Sequence, residues 1–185
     1  MKNPFLFPVI GGLPGVILDG GMRKLSDKIE AAMPDVSAPV FPWFAWKTAR
    51  TQMIVAAREG RLIGGGGHSY GCMELGKISI DMGKLGLHIP YIAGVDPTAT
   101  PVGYGPIIID QNVAYVDEFW ASFGWPAMAR LRSPAGKAGG KFTYPYGTEN
   151  RVRRYTSGHV ALGSNSKVHD IVVQQVDRVR RELIG

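Results

Sequence analysis

A serine lies at the centre of a short segment that has glycine at both ends. The segment is Gly67-His68-Ser69-Tyr70-Gly71, and it matches the pattern Gly-x-Ser-x-Gly. In this pattern the serine lies on a sharp turn between a strand and a helix, where small flanking residues let the two elements approach. An apolar stretch precedes Ser69 and a helical pattern follows it. The spacing therefore predicts a nucleophilic serine, with the N–H of Tyr70 directed at a developing oxyanion.

A serine nucleophile needs a base, and the chain contains 4 histidines. His68 is next to the serine, so its side chain is expected to point away and to pack. His88 precedes a predicted strand and belongs to the opposite end of the sheet. His159 follows the last predicted strand in a loop, which favours it as the base. His169 remains the alternative, although its place inside a predicted helix suggests packing or solvent exposure.

The candidate acid is Asp96, which comes directly after the apolar run at 89–95. An aspartate at the carboxyl end of a strand can reach the imidazole, fix its tautomer and stabilise the imidazolium. An Asp-Pro turn without a catalytic task is the structural alternative. Asp110 and Asp117 are the other possible acids.

An oxyanion hole needs a second N–H donor besides Tyr70. The run Gly11-Gly12-Leu13-Pro14-Gly15 follows the first predicted strand, and Pro14 has no N–H. The donor is therefore Gly12 or Leu13, and we prefer Leu13. The run is nearly as compatible with an ordinary turn. It is less compatible with a phosphate-binding loop, because no Gly-Lys-Ser/Thr follows it.

The periodicity of the chain predicts alternating strands and helices. Strands are predicted at 5–10, 61–67, 89–95, 107–109 and 152–155, with a short one within 36–46. Helices are predicted at 22–33, 48–59, 72–85 and 113–123, and 133–147 is a loop. A closing helix places five apolar residues on one face: Val168, Val172, Val176, Val179 and Leu183. This alternation predicts a single α/β domain over 1–185 with a mainly parallel sheet.

Composition narrows the classes of partner. The net charge is +6, but the excess is spread out apart from runs at 151–154 and 178–181. Because no RNA-binding or zinc-finger motif accompanies it, we expect solvated faces and no nucleic-acid partner. No stretch is long enough to span a membrane, and the apolar run at 5–10 is too short for a signal peptide. We expect a cytoplasmic or non-classically released protein.

The single Cys72 permits no internal disulfide and is expected to be a small core residue. The chain shows no histidine, cysteine and aspartate cluster with metal-ligand spacing. We therefore expect neither a metal nor a cofactor.

The motifs, taken in order, resemble the small lipase- and esterase-like α/β-hydrolases. The resemblance rests on five segments: Val9-Ile10-Gly11-Gly12-Leu13, Gly67-His68-Ser69-Tyr70-Gly71, Val95-Asp96-Pro97, Asn112-Val113 and Gly158-His159-Val160-Ala161-Leu162. It implies a three-layer α/β-hydrolase-like fold and a triad of Ser69, Asp96 and His159. The chain is short, and in this respect it resembles the compact, cutinase-sized members that have no cap domain. It departs from the family where Gly64 to Gly67 replace bulkier apolar residues before the nucleophile.

The resemblance implies hydrolysis of a small-molecule or lipid ester through an acyl-enzyme on Ser69. A thioesterase or amidase would use the same triad, so the sequence leaves those activities open. A non-catalytic binding module with the hydrolase fold is the third alternative. Several aromatic residues are candidates for an acyl site: Trp43, Phe44, Trp46, Phe119, Trp120 and Trp125.

Overall fold

The structure, a computed structural model, describes residues 4–12, 20–98, 107–123, 142–143 and 149–184. Its strands are β1 (Phe5–Leu6), β2 (Val9–Gly11), β3 (Val36–Ser37), β4 (Val40–Pro42), β5 (Leu62–His68), β6 (Ile89–Val95), β7 (Ile107–Ile108), β8 (Val113–Phe123), β9 (Phe142–Thr143) and β10 (Glu149–Gly158). Its helices are α1 (Gly20–Ala32), α2 (Trp46–Arg58), α3 (Tyr70–Lys84), α4 (His159–Gly163) and α5 (Ser166–Ile184), with a 3-10 turn at Trp43–Ala45.

The main sheet is parallel at every pairing that the described residues make. Its strand order is β3-β1-β5-β6-β8-β10, and β2 continues the line of β1 between β4 and β5. The chain therefore winds first towards β4 and afterwards in the other direction, from β5 to β10. The carboxyl ends of β2 and β5 flank this change of direction, which is where open α/β sheets bind ligands. Strands β7 and β9 form a separate parallel pair.

Helices cover both faces of the sheet. On one face, α1 and α5 pack against β2 and β6 through buried side chains that include Met22, Leu25, Ile29, Val172, Val176, Val9 and Ala93. On the other face, α2 and α3 contribute Ala49, Met53, Leu75 and Ile78, which pack with Ile10 and Ile92. The predicted three-layer α/β fold with a parallel central sheet is confirmed. No helix in the described part of the chain combines the length and apolarity needed to cross a membrane.

Residues 113–123 form strand β8, so the helix predicted there is wrong. β8 lies between β6 and β10. Val116 packs towards α3 while Phe119 packs towards α1 and α5, so both faces of the strand are buried. A parallel strand covered on both faces lacks the polar and apolar alternation that marks a half-exposed strand.

Smaller differences concern the ends of elements. The predicted strand at 5–10 is divided into β1 and β2 around Phe7 and Pro8, and the segment at 36–46 contains two short strands and the 3-10 turn. Leu183, predicted on the apolar face of the last helix, is 54% exposed. Of the predicted loop at 133–147, residues 142–143 form β9, and the remaining residues are outside the described ones.

Candidate active site

Ser69 occupies a one-residue turn between the end of β5 and the start of α3. Its backbone angles are φ 56° and ψ −121°, in a region that residues with a Cβ rarely adopt. Such a conformation costs about 1–3 kcal/mol and persists only where the surroundings enforce it. The turn places Ser69 at the carboxyl edge of the sheet.

Glycines allow β2 to approach this turn closely. A Cβ on Gly71 would lie 2.0 Å from the carbonyl oxygen of Ile10, so α3 begins in direct contact with the β2 backbone. A Cβ on Gly12 would lie 2.6 Å from Ser69 Cβ and 3.2 Å from Ser69 Oγ. The chain that leaves β2 therefore passes beside the serine with no side chain between them.

The glycine run in β5 accommodates bulky side chains from its neighbours. A Cβ on Gly64 would lie 2.7 Å from the Phe7 ring, and a Cβ on Gly65 would lie 2.7 Å from the Leu75 side chain. Phe7 and Leu75 thus fill the space on the two sides of β5 that larger strand residues would occupy. This packing keeps the strand before Ser69 buried.

The backbone of Ser69 is bonded to the end of the neighbouring strand. Its N–H donates to the Val95 carbonyl at 3.0 Å, and its carbonyl accepts from the Thr98 N–H at 3.2 Å. The residue is 1% exposed. Ser69 Oγ makes no hydrogen bond with any residue that the structure describes. A buried hydroxyl without a partner at a strained turn is free to bond to an incoming group.

Asp96 follows β6 directly, as the sequence analysis predicted, and it is fully buried. It also has a positive φ, 45°. Its N–H donates to the Phe119 carbonyl at 2.6 Å, and its Oδ1 accepts from the Ala121 N–H at 3.2 Å. The carboxylate is thus fixed by the backbone of β8, which leaves Oδ2 facing the segment that follows β10.

His159 lies 2.5 Å from Asp96, measured between Nδ1 and Oδ2. The residue begins the five-residue helix α4 directly after β10, so the loop predicted there is wrong. The imidazole is 7% exposed. Because a carboxylate only accepts, Nδ1 carries the hydrogen and Nε2 of the neutral ring has its lone pair available. This is the tautomer that a general base for serine requires.

His68, at the end of β5, is buried against His159. The two rings are stacked, with centroids 4.8 Å apart and an interplanar angle of 29°. His68 Nε2 donates to the carbonyl oxygen of His159 at 3.1 Å. The sequence predicted that His68 packs, but it gave no sign of which residue the ring meets.

The other histidines lie elsewhere. His169 in α5 is 3% exposed, and its Nε2 donates to the Gly163 carbonyl at 2.8 Å. Burial lowers the pKa of His169, which disfavours its charged form. His88 is exposed and precedes β6, at the opposite end of the sheet from Ser69.

The two alternative acids have other partners. Asp117, in β8, accepts a hydrogen bond from the Tyr91 hydroxyl at 3.1 Å and forms an ion pair with Arg153. Asp110 precedes β8, at the amino end of the strand, and its Oδ1 accepts from the Gln111 N–H at 2.7 Å. Neither carboxylate has His159 as its recorded partner, whereas Asp96 does.

Tyr70, one of the two residues predicted for an oxyanion hole, is the first residue of α3. The N-terminus of a helix carries partial positive charge, so this position favours an anion. The Tyr70 ring is buried and its centroid lies 6.1 Å from that of Trp43. Burial raises the pKa of the Tyr70 hydroxyl. Leu13, the second predicted donor, lies outside the described residues.

Within the described residues, no group of three or more His, Cys, Asp or Glu side chains is arranged to hold a metal ion.

Comparison with known proteins identifies the fold but no close relative. No family model matches the sequence, and no curated protein matches it. Among solved structures, a protein of Xanthomonas campestris pv. campestris assigned to the alpha/beta hydrolase superfamily superposes with a TM-score of 0.60 at 11% identity, over 92% of this chain and 98% of that one.

Two further structures have the same fold. One comes from the pair LipS and LipT, two metagenome-derived lipolytic enzymes. It superposes with a TM-score of 0.58 at 13% identity, over 97% of this chain and 95% of that one. The other is RedJ, a thioesterase from the prodiginine pathway of Streptomyces coelicolor, with a TM-score of 0.51, 9% identity and coverage of 95% and 90%. The chain therefore has the α/β-hydrolase fold, as its motifs suggested.

Proposed function

We propose that this protein is a serine hydrolase that cleaves carboxylic esters through an acyl-enzyme on Ser69. The observation that carries the proposal is the turn at Ser69, where a strained backbone holds a buried hydroxyl without a hydrogen-bond partner among the described residues. The carboxyl end of β6, bonded to that turn, leads into Asp96, and Asp96 contacts His159. A nucleophile, a base and an orienting acid are thus available at one edge of the sheet.

In the first half of the reaction His159 Nε2 takes the hydroxyl proton as Ser69 Oγ attacks the ester carbonyl. Asp96 keeps the hydrogen on Nδ1 and stabilises the imidazolium that forms. The alcohol leaves with the proton from His159, and the acyl group remains on Ser69. In the second half His159 activates a water molecule, which releases the acid.

The oxyanion of each tetrahedral intermediate needs donors that are already in place. We assign the backbone N–H groups of Tyr70 and Leu13 to this task. The position of Tyr70 at the start of α3 supports the first assignment, since the helix N-terminus adds to the favourable field. The contact between Gly12 and Ser69 supports the second, because Leu13 is the next residue along the chain.

An aromatic path beside Tyr70 supports an apolar ester, either a small molecule or a lipid. Trp43 contacts Tyr70, and Phe44 lies edge-on to Trp43 with centroids 6.1 Å apart. Phe44 is 66% exposed, so the path runs from the nucleophile turn to the surface. We assign it to the apolar part of the substrate.

Labelling with a fluorophosphonate tests the nucleophile. We expect stoichiometric labelling of the wild type, none of Ser69→Ala, and unchanged labelling of the control Ser166→Ala, whose side chain is exposed at the start of α5. We also expect His159→Ala to lose labelling while His169→Gln retains it. An unlabelled wild type, or labelling that survives in Ser69→Ala, would contradict the proposal and favour a non-catalytic module.

A thioesterase is the second candidate, because a solved thioesterase has the same fold. Matched substrates with the same acyl chain, one a p-nitrophenyl ester and the other a thioester, separate the two activities. We expect a higher kcat/KM for the ester. A preference for the thioester that disappears in Ser69→Ala would assign the site to thioesters instead, with the nucleophile unchanged.

A further inference from the structure

We propose that His68 is a positioning residue that holds the base His159 in its working orientation. This inference rests on the proposed function, since it concerns how the acyl-transfer site is assembled. His68 immediately precedes Ser69, yet its ring contacts a residue 91 positions later. The residue beside the nucleophile thus connects β5 directly to the segment that carries the base.

The His68 ring packs against both ends of the short helix α4. One face of the ring is stacked on the imidazole of His159. A Cβ on Gly163 would lie 3.1–3.2 Å from three atoms of the same ring, so the end of α4 also contacts it. Behind this helix, a Cβ on Gly21 would lie 2.3 Å from the Gly163 carbonyl oxygen. Helix α4 therefore lies between the His68 ring and the start of α1.

The hydrogen bond from His68 acts on the backbone of the base. His159 is the first residue of α4, and its carbonyl accepts from His68 Nε2 at 3.1 Å. The carbonyl can only accept, so this bond also fixes the tautomer of His68. With His68 holding its backbone carbonyl and Asp96 holding its ring Nδ1, His159 is restrained at two points.

The stacked ring adds a restraint on rotation of the imidazole. The stacking of the two rings also becomes more favourable during the reaction, because His159 is a cation after it takes the serine proton. The face of an aromatic ring attracts a nearby cation, and the effect is larger in a desolvated site. The face of the His68 ring thus stabilises the imidazolium that the transition state requires. The expected consequence is a contribution to kcat with little effect on KM.

Three substitutions separate the hydrogen bond from the stacked ring. His68→Gln keeps a donor and removes the ring, His68→Phe keeps a ring and removes the donor, and His68→Ala removes both. We expect kcat per active site, counted by fluorophosphonate titration, to fall about tenfold or more in His68→Ala, because a small misplacement of a catalytic group lowers the rate strongly. The Gln and Phe variants should lie between His68→Ala and the wild type, while KM stays within about twofold for all three.

The titration distinguishes positioning from mere structural support. A variant that only destabilised the fold would lower the fraction of titratable sites and the Tm but leave kcat per site unchanged, and that result would overturn the inference. If His68→Ala does not fold, the Gln and Phe variants decide: wild-type kcat in both would also overturn it. A wild type that is not labelled at Ser69 would instead refute the proposed function.

Discussion

Ser69 and Asp96 share an uncommon backbone feature. Within the described residues they are the two non-glycine residues with a positive φ, at 56° and 45°. Each conformation is enforced by backbone hydrogen bonds to a neighbouring strand: Ser69 bonds to Val95, and Asp96 bonds to Phe119. Strain of this kind concentrates at functional sites, because the surrounding fold must maintain it. Its coincidence at the candidate nucleophile and acid strengthens the assignment of both.

Asp96→Asn tests the orienting acid. The amide can still accept from the Ala121 N–H, but the charge that stabilises the imidazolium is lost and the wrong tautomer of His159 is favoured. We expect kcat to fall about 10³-fold or more, with a smaller change in KM. The matched control is Asp110→Asn, which alters a carboxylate beside Gln111 at the amino end of β8. A loss of activity in the control but not in Asp96→Asn would transfer the acid role.

The residue types at the site were readable from the sequence, because a motif and a strand end define them locally. The sequence placed Asp96 after a buried strand, and it lies directly after β6. The catalytic roles of Ser69, Asp96 and His159 stay predictions. The role of Leu13 in the oxyanion hole also stays a prediction. The stacking of His68 on His159 could not be predicted, because no local pattern relates two residues 91 positions apart.

At the scale of elements, the close approach of β2 to the nucleophile turn leaves no room for a side chain on Gly12. We expect Gly12→Ala to lose labelling and esterase activity, since its methyl group would lie 2.6 Å from Ser69 Cβ. The matched control is Gly20→Ala at the start of α1, where a Cβ meets nothing within 4 Å. The readouts are the fraction of molecules labelled, the esterase activity per mole of folded protein, and Tm.

Wild-type activity in a folded Gly12→Ala protein would show that the turn does not need this contact. Loss of activity in both variants would instead reflect a general intolerance of changes in this part of the chain. The test therefore depends on the difference between the two glycines and not on either alone.

Elements whose periodicity is simple were predicted well. The apolar run at 89–95 coincides with β6, and the period of α5 identified four of its buried residues: Val168, Val172, Val176 and Val179. β8 was mispredicted because its identity depends on its neighbours. Its side chains face two helical layers, and that pairing is set by the topology of the whole sheet.

At the scale of the whole molecule, three arginines of the two basic runs have partners in the fold. Arg153 pairs with Asp117, and Arg180 lies 2.9 Å from Asp35 and from Asp177. Arg178 lies over the Tyr115 ring, 4.7 Å from its centroid. These contacts connect α5 and β10 to the rest of the fold. They give Arg153, Arg178 and Arg180 a structural role.

The pH dependence of stability provides a test at this scale, through the buried His169. Burial, with a smaller contribution from the charge of Lys28, lowers the pKa of His169 in the folded protein. The unfolded chain, with an ordinary histidine pKa of about 6.5, then binds the proton more readily. The stability that the neutral ring contributes is therefore complete above about pH 6.5 and is lost as the pH falls through the acid range.

We expect the Tm of the wild type to fall more between about pH 7.5 and 5.5 than that of His169→Gln, whose amide can still donate to the Gly163 carbonyl. For a domain of this size each kcal/mol lost lowers Tm by about 2–4 °C. His88→Gln is the matched control, because His88 is exposed, and it should follow the wild type. Equal slopes for wild type and His169→Gln would show that protonation of this ring does not limit stability in acid.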